Sequence, residues 1–191
     1  MSAEASRSSL FAKRPPPQRA LVIVTRRIGD VLLATPVVRS LKRAWPQCEI
    51  DMLVFAGTEG FVAANPDVRH VITIRERPHL LEHLRLLFRI ARRYDLALAL
   101  APGDRPTLYA YVAGRLRVGL LEPARKARWK KSLLDAWVPF DNVDTHTVRM
   151  HLALLQTIGV APLAAVVPSW TQEDETRARS LLAALPGARP L

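Results

Sequence analysis

The chain has 191 residues, of which 49% are hydrophobic, so its composition is that of a folded globular protein and not of a disordered one. Lys and Arg number 28 against 17 Asp and Glu, and the formal net charge of +11 predicts a polyanionic partner: nucleic acid, anionic lipid or a phosphorylated substrate. The single cysteine, Cys48, excludes an internal disulfide. Because no secretory signal or membrane-spanning run is present, we expect a cytoplasmic protein, either soluble or bound to a membrane surface.

Strands and helices are predicted to alternate along most of the chain. Residues 1–18, rich in Ser, Pro and Arg, predict a disordered basic tail. Short apolar runs then predict strands over 19–25, 49–55, 71–74, 95–100 and 116–120. Helical spacing predicts helices over 33–45, 60–64, 78–93, 107–113, 146–158 and 172–185. This order predicts an α/β fold with a three-layer parallel sheet in residues 19–162, and a linker and helix in 163–191.

The helix predicted over 78–93 is amphipathic, with an apolar stripe on one side and arginines on the other. The stripe comprises Leu80, Leu81, Leu84, Leu87, Phe88 and Ala91, and the arginines are Arg85, Arg89, Arg92 and Arg93.

Two loops carry the candidate chemistry, one after the first predicted strand and one after the fourth. In parallel α/β sheets, ligands bind where the carboxyl ends of the strands meet. Each loop combines a glycine, a carboxylate and an arginine. The candidate site residues are Arg26, Arg27, Gly29 and Asp30 in the first loop, and Asp104 and Arg105 in the second.

We predict that Asp30 lies at the carboxyl end of the first strand, at or next to the start of the first helix. Its carboxylate is suited to accept a proton from a hydroxyl, but capping the helix is a common role for Asp and is the interpretation that the residues alone favour. Asp104 and Arg105 are likewise able to bind a ligand, to pair with each other, or to cap the next helix. No dinucleotide fingerprint or Walker A motif occurs. The 5 histidines lack metal-ligand spacing, so no metal site is predicted.

A basic run around Trp129 leaves two interpretations open. It contains Arg125, Lys126, Arg128, Lys130 and Lys131. Tryptophan favours the headgroup layer of a bilayer, so the run fits an anionic membrane surface. A solvated loop explains the same residues equally well.

The segment RALVIVTRRIGDVLLATPVVRSLKRAWPQCEID resembles the opening of the lipopolysaccharide heptosyltransferases, glycosyltransferase family 9. There, too, a strand, a Gly-Asp pair, an apolar helix with an early proline, and a "P-x-x-x-I-D" second strand follow in that order. The resemblance covers about residues 19–160, and the Gly-Asp-Arg loop is most similar to the branch that adds the third heptose. Further matches are Asn65-Pro66-Asp67-Val68, Tyr94-Asp95-Leu96, Gly103-Asp104-Arg105, Ala113-Gly114-Arg115, Arg117-Val118-Gly119 and His146-Thr147-Val148.

This resemblance implies a Rossmann-like domain forming one half of a GT-B glycosyltransferase. Family members transfer heptose from ADP-heptose to the lipopolysaccharide inner core, with inversion and without a metal or other cofactor. Asp30 aligns with the proposed general base, and the two loops would bind the acceptor. The donor site of the family lies mainly in a C-terminal domain, so we expect that domain to be absent here and the chain to be inactive alone.

The partners expected from the resemblance are the lipopolysaccharide core acceptor and the anionic inner-membrane surface, and nucleic acid is not expected. One alternative function remains open. The chain would then be a non-catalytic basic module that binds an anionic membrane surface or nucleic acid, as the net charge of +11 allows.

Overall fold

The computed structural model describes residues 10–11, 14–122, 128–141 and 143–183. Within them, six strands form one sheet in the order β3-β2-β1-β4-β5-β6, and every neighbouring pair is parallel. This is the strand order of the doubly wound Rossmann fold. The strands are β1 Arg19–Val24, β2 Glu49–Phe55, β3 His70–Ile74, β4 Tyr94–Ala99, β5 Gly114–Leu121 and β6 Ala136–Pro139.

Helices cover both faces of this sheet, so the predicted three-layer α/β fold is confirmed. Alternate residues of each strand point to opposite faces, and both faces are buried, which explains why the strands are continuous apolar runs. Helices α1, α2 and α6 pack on one face, and α3 and α4 pack on the other. The helices are α1 Ile28–Leu32, α2 Thr35–Ala44, α3 Leu80–Ile90, α4 Asp104–Ala113, α5 Arg128–Lys131, α6 Thr147–Thr157 and α7 Gln172–Ala183, with a 3-10 turn at Glu59–Phe61.

The apolar stripe predicted for α3 is not its buried side, since of that stripe only Leu87 is partly buried. Leu86 and Ile90 are the buried residues, and Leu87 is partly buried against the same cluster. Leu80 and Phe88, by contrast, are 73% and 79% exposed. The helix has apolar residues around more than half of its circumference, and a single sheet face can cover only one side. The side chosen contains Leu86 and Ile90, which sequence spacing alone did not select.

Strand β6 was not predicted from the sequence. It has only four residues, one of them proline, and it lies at the outer side of the sheet. Proline is tolerated there because an outer strand has ladder groups without a partner. Such a short segment carries too little periodicity to be recognised.

Residues 1–9 and 12–13 of the predicted tail lie outside the described residues. Leu10 and Phe11 pack against the core on the face that holds α2 and α6. The backbone N–H of Leu10 donates to the carbonyl of Thr157 at 3.3 Å, and the rings of Phe11 and Trp45 are 5.0 Å apart between centroids. The domain boundaries stay predictions. No helix in the described part of the chain is long and apolar enough to cross a bilayer.

Candidate functional site

The centre of the sheet brings the two predicted loops together. Strands β1 and β4 are hydrogen-bonded neighbours, and the chain leaves β1 toward β2 on one side and β4 toward β5 on the other. Loops that diverge in this way leave a crevice at the carboxyl ends of the strands, where ligands bind in this class of fold. The first loop follows Val24 and the second follows Ala99, so both lie at this switch point.

A cleft at the switch point contains parts of both loops. It also contains Glu76 and Arg77, which follow β3 and were not among the predicted site residues. Their position directly after a parallel strand is the signal that would have identified them. The guanidinium of Arg105 donates to the carbonyl oxygen of Glu76 at 2.5 Å and so ties the β4 loop to the β3 loop. The lining residues are Thr25, Arg26, Arg27, Phe55, Ala56, Thr58, Glu76, Arg77, Pro102, Gly103, Asp104, Arg105 and Pro106.

Asp30 is the third residue of α1, beside this cleft, and its predicted position is confirmed. Its side chain is 18% exposed, and Oδ2 lies 3.0 Å from Nε of Arg26, which itself lines the cleft. The N-terminal cap of α1 is Arg27, and within the described residues the Asp30 carboxylate accepts no hydrogen bond from a helix N–H. Helix capping therefore does not account for Asp30. Its role as a base stays a prediction.

The other residues of the first loop remain open to a ligand. Arg27 is exposed and forms no salt bridge within the described residues. Gly29 is exposed as well, and a Cβ added there would meet nothing within 4 Å. Packing therefore does not require glycine at this position. Arg26 is more constrained, because besides Asp30 it faces the Phe140 ring at 5.8 Å.

The second loop is held by groups outside it. Gly103 precedes α4 with φ +135°, a backbone conformation that residues other than glycine rarely adopt. Asp104 pairs with Nζ of Lys130 at 2.6 Å, while Arg105 bonds to the carbonyl of Glu76. Asp104 and Arg105 therefore do not pair with each other. Their predicted contact with an acceptor stays a prediction.

The basic run is only partly available to a surface. Lys130 is buried, because its ammonium group turns toward Asp104, and this corrects its prediction as a solvent-facing residue. Lys131 lies 4.2 Å from the centroid of the Trp137 ring. Trp129 is about half exposed. Arg125, Lys126 and the side chain of Arg128 lie outside the described residues.

His151 on α6 contacts the start of the second loop and the segment just after α1, and sequence reasoning missed it. Its Nε2 lies 3.0 Å from the carbonyl oxygen of Leu100, at the start of the second loop, and Nδ1 lies 3.3 Å from that of Leu33, just after α1. Burial lowers the pKa of His151, although the two carbonyls and the charge of Asp30 oppose this effect. A buried histidine on an ordinary helix has no sequence signal that would identify this contact.

Asp51 and Tyr94 meet at the opposite ends of the strands. Asp51 accepts hydrogen bonds from Nε and Nη2 of Arg69, at 2.9 and 2.7 Å, and from the Tyr94 hydroxyl at 2.7 Å. The group ties β2, β4 and the residue that precedes β3 together, far along the strands from the cleft. Among the described residues, no three His, Cys, Asp or Glu side chains gather in a way that would hold a metal ion.

Comparison with known proteins gives no matching family model, but it gives related sequences and structures. Lipopolysaccharide heptosyltransferase 3 of Escherichia coli (strain K12) is 28% identical over 142 residues, which are 69% of this chain and 40% of that protein. The crystal structure of the glycosyl transferase family 9 from Veillonella parvula DSM 2008 matches with a TM-score of 0.73 and 18% identity, over 87% of this chain and 49% of that one. The structure of E. coli ADP-heptose lps heptosyltransferase II matches with a TM-score of 0.62 and 19% identity, over 90% and 52%.

The structural likenesses confirm the predicted fold class, a Rossmann-like three-layer sheet of the kind that forms one half of a GT-B glycosyltransferase. The chain spans about 40% of the length of the curated relative that it matches. The sequence likeness agrees with the family indicated by the Gly-Asp loop and the strand motifs. The sequence likeness to lipopolysaccharide heptosyltransferase 3 and the fold shared with the glycosyltransferase family 9 structure therefore both support the family that the sequence resembles.

Proposed function

We propose that this chain is the acceptor-binding, N-terminal domain of a glycosyltransferase that moves heptose from ADP-heptose to the lipopolysaccharide inner core. The observation that carries the proposal is the position of Asp30, at the tip of β1 beside the cleft, with no capping role to explain it. The related protein described as heptosyltransferase 3 supports the branch that adds the third heptose.

In the proposed reaction, Asp30 is the general base. Its carboxylate accepts the proton of an acceptor hydroxyl while that oxygen attacks the anomeric carbon of the donor. The new carbon–oxygen bond forms as the bond from that carbon to the phosphate oxygen breaks, and ADP leaves with the electron pair. Attack from the face opposite the leaving group inverts the anomeric carbon. Arg26 holds the carboxylate in place through its 3.0 Å ion pair.

The arginines of the cleft suit a phosphorylated, acidic acceptor. Guanidinium groups form paired hydrogen bonds with phosphate and carboxylate. Arg27 and Arg77 are exposed beside the cleft and form no salt bridge within the described residues, so both are free to receive such groups. Arg105 retains donors beyond the one that bonds to Glu76.

We also propose that transfer needs a second, donor-binding domain, so that these 191 residues alone are inactive. Holding donor and acceptor in attack geometry can lower a barrier by roughly 7–11 kcal/mol, and the described residues form a single sheet with one side of a cleft. Incubating the purified chain with ADP-heptose and a core acceptor tests this. Measurable heptose transfer would overturn the requirement.

Replacing Asp30 with Asn in the natural protein that carries this domain tests the base. The amide cannot take the proton, so kcat should fall by on the order of 10²–10⁴-fold, with the fold and acceptor binding retained. Asp144→Asn is the matched control, because Asp144 is an exposed carboxylate that is not among the residues lining the cleft. Transfer by Asp30→Asn at the rate of the Asp144 control would show that Asp30 is not the base.

A further inference from the structure

The outward side of α3 carries an apolar surface that the sheet leaves uncovered. Leu80, Leu84 and Phe88 recur every four residues and so form one stripe, with Leu81 next to it. All four are exposed, most of all Phe88, while Leu86 and Ile90 on the other side hold the helix to the core. We call Leu80, Leu81, Leu84 and Phe88 the α3 apolar face.

Arginines border the α3 apolar face. Arg85 and Arg89 each follow a residue of the stripe, so they form a parallel row one position further around the helix. Arg92 and Arg93 continue beyond the end of α3. All four are exposed, and within the described part of the chain none forms a salt bridge.

The one acidic residue of α3 does not offset these charges. Glu82 already bonds to Arg75, with Arg75 Nε 2.7 Å from Oε2. Arg85 and Arg89 therefore keep their positive charge at positions next to the apolar stripe.

This combination fits an anionic bilayer surface better than a protein groove. An interfacial helix places its apolar side among the upper acyl chains while basic residues beside it reach the phosphates. Arginine is suited to that position because its long apolar stem can lie along the bilayer while the guanidinium reaches the headgroups. A protein partner would have to match the arginines beside the stripe as well as the leucines.

We propose that the α3 apolar face and its bordering arginines dock this domain on an anionic lipid surface. The inference rests on the proposed function, because an enzyme that modifies a lipid-linked acceptor works where that lipid lies. Arg77 lines the cleft and stands only three residues before Leu80, at the start of α3. Docking through α3 therefore brings the rim of the cleft close to the headgroups.

The first arm of the test removes the apolar contact. Sedimentation with phosphatidylcholine vesicles, with and without phosphatidylglycerol, measures the affinity of the 191-residue chain. Leu84→Ser with Phe88→Ser should weaken binding to the anionic vesicles by on the order of tenfold. Leu181→Ser with Leu182→Ser on α7 is the matched control, since both leucines are exposed on a helix with no buried residue, and it should bind as the unmodified chain does.

The second arm removes charge and leaves the apolar face intact. Arg85→Gln with Arg89→Gln should also weaken binding to the anionic vesicles by on the order of tenfold. Added salt should likewise weaken the binding of the unmodified chain. Arg43→Gln with Arg177→Gln is the control, because these exposed arginines lie on α2 and α7. Thermal melts of each variant verify that the fold is retained.

Binding that is equal in the α3 variants and their controls would overturn the proposal. A second outcome would also overturn it: the Leu84 and Phe88 variant changes the sedimenting mass of the free chain but leaves vesicle binding unchanged. The α3 apolar face would then be a contact between copies of this chain. The vesicles contain no sugar, so Asp30→Asn should bind them normally. If that variant loses heptose transfer but still binds vesicles, the docking proposal is unaffected. If docking fails while transfer to a delipidated core acceptor is intact, the docking proposal is refuted and the proposed function is not.

Discussion

Replacing Asp51 with Asn is expected to destabilise the domain without altering the cleft. Asp51 is 3% exposed and receives three hydrogen bonds, two from Arg69 and one from Tyr94. An amide in its place loses the negative charge and can accept on only one atom, while its NH₂ group would face donors. One or more of the donors that now reach Asp51 would then lack an acceptor in a buried position.

The size of the effect follows from how buried the partners are. Breaking a fully buried ion pair costs about 3–5 kcal/mol. The side chain of Arg69 is 31% exposed, so water can reach the freed guanidinium, and we expect a smaller loss of about 2–3 kcal/mol. For a chain of this size, about 1 kcal/mol shifts Tm by about 2–4 °C, so Asp51→Asn should melt roughly 4–12 °C lower at pH 7.

The pH dependence gives a second check. Burial would raise the pKa of Asp51, but the hydrogen bonds from Arg69 and Tyr94 and the nearby positive charges outweigh burial and lower it. A carboxyl whose folded pKa lies below its unfolded value contributes stability above the unfolded pKa and loses it as pH falls through the folded pKa. The gap between wild type and Asp51→Asn should therefore be complete at pH 7 and shrink below about pH 4.

Thermal melts followed by circular dichroism, at pH 7 and in stepwise acid, measure both effects. Glu49→Gln is the matched control, because Glu49 also pairs with Arg69 but its side chain is 45% exposed. A pair at the surface contributes about 0–1 kcal/mol, so this control should lose little. The assignment of Asp51 as a buried structural anion is wrong if Asp51→Asn and Glu49→Gln have the same Tm. It is also wrong if the difference in Tm between wild type and Asp51→Asn stays constant from pH 7 into acid.

Two further predictions concern stability. Burial lowers the pKa of His151, so the unfolded chain binds its proton more readily, and the Tm of the wild type should fall as pH drops below about 6.5. His151→Gln should flatten that fall, whereas a wild-type Tm that is constant from pH 7.5 to 5.5 would contradict the assignment. Gly114→Ala should cost about 1–3 kcal/mol in urea unfolding, because its Cβ would lie 2.7 Å from that of Ala97. Gly60→Ala, where nothing lies within 4 Å, is the control, and equal losses in the two variants would refute the close contact.

The sheet was largely predictable because buried parallel strands have a strong local pattern. The predicted strand over 49–55 coincides with β2, and the first four strands differ by no more than one residue at either end. The first, second and fourth are largely apolar runs with both faces buried, whereas the outer strand β3 leaves His70 and Thr73 exposed. Strand β6 and the buried side of α3 were not predictable in this way. Both depend on which neighbour covers a segment, which is a property of the assembled sheet.

The candidate site was likewise predictable only where a local sequence pattern locates its residues. The rule that ligands bind at the carboxyl ends of parallel strands located Asp30 and the Gly103 loop, because it needs only strand order and the residues that follow each strand. The same rule applied to β3 would have added Glu76 and Arg77. His151 was beyond its reach, because its two contacts join residues 118 and 51 positions away.

The motifs shared with the heptosyltransferases fall into two groups on the sheet, one at the amino ends of the strands and one at the carboxyl ends. Asp51, Asp95 and Gly114 lie at or near the amino ends of their strands. There the Asp95 carboxylate accepts hydrogen bonds from the backbone N–H groups of Gln18 and Arg19, at N···O distances of 2.9 and 3.1 Å. These motif residues satisfy buried or backbone groups, and stability alone explains them.

Asp30 and the Gly103 loop lie at the other ends of the strands, together with Arg27 and Arg77, which have no salt bridge within the described residues. Keeping like charges such as Arg27 and Arg77 unpaired at one rim is unfavourable unless a ligand or counter-ion offsets them. A domain held together at the amino ends of its strands can tolerate that cost at the carboxyl ends. The position of a motif residue along its strand therefore separates the residues proposed for chemistry from those that hold the fold, which the motif alone does not do.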